Sequence, residues 1–196
     1  MKLQKLFFAA VIVLSANAAI AQADTNVDTH LITINIPEVA LLDLEVATGT
    51  TAITLDGTMP TEAGLPMTFG AAATNASIWI NYSSIVGSTT EPSRKVSVQI
   101  TDGAVPTGLK LTALAAADAG KGGGTVGTAS AVLTLSADTA QDIITGVGSA
   151  YTGDGANNGH KLTYQLDYAT DAATDYAGLD FDDSADLTIT YTLSDL

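Results

Sequence analysis

Lys161-Leu162-Thr163-Tyr164-Gln165-Leu166-Asp167-Tyr168 decides the fold class. Apolar and polar residues alternate through it, so one face is dry and the other wet, as in a half-buried β-strand. Downstream, Leu187-Thr188-Ile189-Thr190-Tyr191-Thr192-Leu193 repeats the pattern and closes the chain on a strand. Upstream, Lys95-Val96-Ser97-Val98-Gln99-Ile100 alternates in the same way and ends at Thr101-Asp102-Gly103, a turn signal. Shorter runs at 30–36, 42–46, 53–55, 77–82, 109–112 and 131–135 bring the candidates to nine strands. Loops rich in Gly, Asp, Asn and Ser separate them. Only residues 111–119 and 137–144 could read as helix, and the leucines of the first also suit a strand.

Many short strands without a sustained helical period point to an all-β antiparallel β-sandwich of about seven to ten strands. One-sided alternation favours antiparallel sheets. Ile32, Ile34, Val96, Val98, Leu162, Tyr164 and Ile189 are the expected inner-face residues. The run Gly120-Lys121-Gly122-Gly123-Gly124 reads as a mobile surface loop.

The first residues carry a separate message. Lys2 and Lys5 precede an apolar run over 6–14, and two overlapping A-x-A sites follow, Ala19-Ile20-Ala21 and Ala21-Gln22-Ala23. This is the layout of a secretory signal peptide, residues 1–21 with an alternative cleavage after 23. The apolar run is shorter than the roughly 20 residues that cross a bilayer. A single β-domain over 24–196 is the expected exported product, with no transmembrane segment after cleavage. Its localisation is expected to be the periplasm, the cell surface or the medium of a Gram-negative bacterium.

The chain has no cysteine, so no disulfide supports it in an oxidising compartment. Seven basic residues face 21 acidic ones, a formal charge of −14, and loss of Lys2 and Lys5 makes the domain more acidic still. A phosphate backbone would be repelled, so nucleic acid is not an expected partner.

Residue types that carry catalytic chemistry are sparse. His30 and His160 are the only histidines, and there is no G-x-S-x-G, no Cys nucleophile and no zinc-ligand spacing. Carboxylate pairs are plentiful, yet no cluster has the aromatic surround that would raise one pKa for glycosidase chemistry. The chain is therefore expected to have no enzymatic activity and no organic cofactor. Calcium is the candidate cation. Asp175, Asp180, Asp182, Asp183 and Asp186 put five carboxylates just before the last strand, and calcium favours oxygen ligands. A solvated acidic loop is the competing explanation. The run 153–159, rich in Gly and Asn, suits left-handed turns.

Trp79 and Tyr82 are the candidates for stacking on a glycan. If Ile78 and Ile80 face the core, Trp79 faces outward. Large aromatics are mostly inside, which favours Trp79 in the core. Asn75-Ala76-Ser77 and Asn81-Tyr82-Ser83 match a glycosylation sequon, and Asp138-Thr139-Ala140 and Asp183-Ser184-Ala185 match a short O-glycosylation pattern.

The alternating stretch 31–36 is followed by Pro37-Glu38-Val39-Ala40-Leu41-Leu42-Asp43-Leu44. In style this resembles the N-terminal segment of alternate chaperone–usher pilins, and the layout of the whole chain resembles a secreted pilus or surface-fibre subunit. The resemblance implies an Ig-like, pilin-like sandwich and a structural or adhesive role. It also implies assembly by β-augmentation with copies of itself or other surface subunits, Ile32, Ile34 and Ile36 being the inserted side chains. A calcium- or glycan-binding secreted module is the alternative expectation.

Overall fold

The computed structural model describes residues 26–196. The expected signal peptide, with both cleavage sites, lies outside the described residues. The chain divides into two compact units, residues 1–35 and 36–196. Residues 27–35 of the first form neither helix nor strand. Every strand found among the described residues belongs to the second.

That second unit is all-β. In chain order its strands are β1 (Val39–Val46), β2 (Thr74–Ile85), β3 (Arg94–Asp102), β4 (Leu109–Asp118), β5 (Gly123–Ala129), β6 (Leu133–Thr134), β7 (Gln141–Tyr151), β8 (His160–Tyr168) and β9 (Thr188–Asp195). One short helix, α1 (Ala172–Asp175), precedes β9. No helix among the described residues is long and apolar enough to cross a membrane.

All pairings are antiparallel, along the path β6-β4-β8-β2-β7-β3-β9, with β1 added to β2 and β5 added to β7. The long strand β2 is the hinge of this sheet. Its first part, through Ile80, pairs with β8, and Ser83 and Ser84 pair with Tyr151 and Ala150 of β7. Changing partner along one strand folds the sheet over a shared core, which gives the sandwich-like arrangement expected from the alternation.

The core is built by the dry faces of five strands. Ile78, Ile80 and Tyr82 come from β2, Val96, Val98 and Ile100 from β3, and Leu111, Ala113 and Ala115 from β4. Ile143, Ile144 and Val147 of β7 and Leu162 and Tyr164 of β8 complete it. Fully burying one such aliphatic side chain stabilises by about 1.5–3 kcal/mol.

Several expectations are corrected. Residues 30–36 do not form the first strand, and Ile32 and Ile34 are exposed rather than on an inner face. Period-two alternation specifies faces but cannot supply a neighbouring edge to bond with. Residues 53–55 likewise have no ladder, although Ile53 and Leu55 pack half-buried against the core. The supposed loop at 120–124 runs into β5, and the candidate helix at 137–144 runs into β7. Both strands are glycine-rich, and the backbone approaches too closely for side chains. A Cβ on Gly122 would collide with the Tyr151 carbonyl, and one on Gly124, which has φ +87°, with that of Ser149.

Candidate functional site

The first candidate is an open seam. β1 bonds only to β2, and β9 only to β3, so each presents one unpaired edge of N–H and C=O groups. Their inward rows, Leu42, Leu44 and Val46 on β1 and Leu187, Ile189, Tyr191 and Leu193 leading into and along β9, pack on the core but are only half-buried. Equivalent positions of the central strands are 0–5% exposed. The core is therefore less covered along these two strands than along the central ones, as it also is at Ala129 of β5 and Leu133 of β6, the other two edge strands.

One end of the seam is tied by Arg94, the first residue of β3, which is only 1% exposed. Its guanidinium donates to the carbonyls of Val39 and Ile85, the latter at 3.1 Å, and to Ser84 Oγ at 3.2 Å. It also pairs with Glu38 and, at 2.8 Å, with Asp195. A single buried cation thus joins the start of β1, the end of β2 and the end of β9. The planar five-donor fork of arginine suits such convergence, and lysine lacks it.

Inside the seam Tyr164 of β8 and Tyr191 of β9 meet hydroxyl to hydroxyl at 2.6 Å. Burial raises both phenol pKa values above their ordinary 10.0, and for Tyr191 the nearby Tyr164 adds to the effect. The pair therefore stays protonated.

The segment with the expected inserted side chains is fully displayed. Leu31 is 91% exposed, Ile34 81%, and Ile32 and Ile36 are exposed as well. Between Asp28 and Glu38 it carries no carboxylate, a contrast with the acidic chain around it.

The five aspartates proposed for calcium do not converge. Asp175 accepts from the backbone of Thr170 and Asp171, and Asp180 from the backbone of Asp182, which are turn and cap bonds. Among the described residues, the group of carboxylates that does lie close enough to share an ion is Glu38, Glu91 and Asp195. Two of these three already pair with Arg94.

Tyr82 and Trp79 separate. Tyr82 is 4% exposed, so its ring is not available to stack on a glycan. Its hydroxyl meets the Val126 carbonyl and, at 2.9 Å, His160 Nε2, while His160 Nδ1 meets the Ala116 carbonyl at 2.9 Å. Burial, with Asp118 contributing, raises the Tyr82 pKa. The expectation of Trp79 in the core is overturned: Ile78 and Ile80 fill the inner face, and Trp79, between them, is only partly buried, on the outer one. Asn81, in the second sequon, is buried and donates to the Gly155 carbonyl.

Sequence reasoning missed Arg94 and the Tyr82–His160 contact. A lone Arg at a strand start and a lone His after a glycine-rich loop carry no pattern, and their roles arise from residues on other strands, as many as 101 positions away. No family model, no curated protein and no solved structure matches this chain.

Proposed function

We propose that this chain is an exported structural or adhesive cell-surface subunit without catalytic activity that assembles by β-strand addition. Residues 31–36 of one copy enter between β1 and β9 of the next. The observation that carries the reading is the pairing of a displayed, alternating apolar segment with two open strand edges over a half-covered core. Each is unfavourable alone, because exposed apolar rows and free edges invite association. Together they are complementary.

The physical fit is direct. Six residues in extended form span about 20 Å, roughly the length of a strand of this size. Ile32, Ile34 and Ile36 lie on one face of such a strand and would cover the inward rows of β1 and β9. Burying three isoleucines contributes about 1.5–3 kcal/mol each before the cost of association and ordering. The absence of carboxylates in the segment lets it approach an acidic neighbour without added repulsion.

An immunoblot of the native cell-surface fraction, with and without boiling in SDS, tests the reading. A ladder that collapses to monomer on boiling is the expected result. A single monomer band in both lanes would overturn it.

A further inference from the structure

A groove on the outer face of the sheet is separate from the seam. Trp79 of β2 forms its floor, Thr48 and Ser77 line one part, and Asn157 and Lys161 line another, around a volume of about 230 Å³. Trp79 faces outward because Ile78 and Ile80, its neighbours along the strand, are taken by the core. Strand register then sets Glu45 of β1 on one side of it and Lys161 of β8 on the other. The Lys161 ammonium lies 5.8 Å from the ring centroid. A partly buried indole, with the Lys161 ammonium over part of its ring, thus lies in one row with Glu45 across three strands.

The loop that carries Asn157 is held in shape. Gly153, Gly155, Asn157 and Gly159 all have positive φ, and Asn157, at +67°, is the one residue among them with a side chain. Asn81 Nδ2 fastens the loop through the Gly155 carbonyl at 2.9 Å, and Asn158 Nδ2 bonds the carbonyl of Asp154 within it. Gly159 lies so close to the Ile80 carbonyl that no Cβ fits. A left-handed asparagine costs free energy, and here it brings an amide to the rim beside an aromatic floor. The Lys161 contact accounts for part of the open ring face. It does not account for the concavity or for the fixed Asn157.

We infer that this groove binds a neutral saccharide chain. The apolar C–H face of a pyranose stacks on the indole. Its hydroxyls, each donor and acceptor, meet the Asn157 amide, the Lys161 ammonium, the Glu45 carboxylate and the hydroxyls of Ser77 and Thr48. A polyanionic glycan would approach a chain of net charge −14, with Glu45 beside the ring, against repulsion. The site does not depend on strand addition, so the two readings fail separately.

Trp79 is the only tryptophan of the chain, which makes its fluorescence a direct reporter. The full-length exported protein is titrated with neutral hexasaccharides of glucose, mannose, galactose and N-acetylglucosamine, and with heparin and alginate as acidic probes. A saturable change in emission with at least one neutral hexasaccharide is expected. In affinity electrophoresis against that glycan, Trp79→Ala weakens retention about tenfold or more. Trp79→Phe, which keeps an aromatic floor, weakens it less, and a thermal melt of each variant confirms folding. No response to any neutral probe, a response to the acidic probes alone, or undiminished retention by folded Trp79→Ala would overturn the inference.

Discussion

Arg94 ties three strands through one side chain, since it bonds β1, β2 and β9 at once. Arg94→Met keeps the stem and removes every donor, leaving two backbone carbonyls and Ser84 short of partners. A loss of about 2–4 kcal/mol is expected in urea unfolding, set more by the orphaned buried acceptors than by the carboxylates. Glu38 and Asp195 are partly in water, so their pairing contributes less. Tyr82, Tyr164 and Tyr191 give the alkaline pH dependence. Their folded pKa values lie above the unfolded value near 10, so the folded state holds these protons more tightly. That stability is whole below about pH 10 and is lost as pH rises toward the folded values. Alkaline unfolding followed by circular dichroism should coincide with phenolate absorbance, and Tyr191→Phe should uncouple part of it. Early phenolate formation without unfolding would contradict this.

At the scale of elements, legibility followed side-chain pattern. β3, β8 and β9 alternate cleanly and are strands where the alternation placed them. β5 was hidden because glycine carries no face to read, and β7 because Ile143 and Ile144 are both buried where the register shifts, which breaks the period of two. Gly124→Ala meets the Ser149 carbonyl and a positive φ together, so a loss of about 1–3 kcal/mol in thermal unfolding is expected. A neutral result would mean that β5 is not held against β7 as described. In the acidic stretch before β9, residue types suggest a site, while Asp175 and Asp180 are engaged in turn and cap bonds. Because Asp175 and Asp180 cap turns, millimolar calcium is expected to leave the melting temperature unchanged. An upward shift that persists in Glu91→Gln, which breaks the separate Glu38, Glu91 and Asp195 group, would mean that the aspartates before β9 do converge on an ion.

At the scale of the molecule, strand addition predicts a clean separation of folding from assembly. Ile34 is exposed in the single chain, so Ile34→Asp is expected to leave the melting temperature of the monomer unchanged while abolishing the SDS-resistant ladder. Loss of monomer stability in that variant would mean that residues 31–36 complete their own domain. The sequence by itself determined the all-β class, the sandwich-like layering and most of the inner-face residues, because alternation is local and a buried face must be apolar along its whole length. It also singled out residues 31–36 and Trp79 as unusual. Only the tertiary structure decided which alternating run lacks a partner, which edges stay open, that Arg94 closes one end of the seam, and that Trp79 faces out beside Glu45 and Lys161. Those outcomes depend on register and on contacts between residues far apart in the chain, and a period-two pattern contains neither.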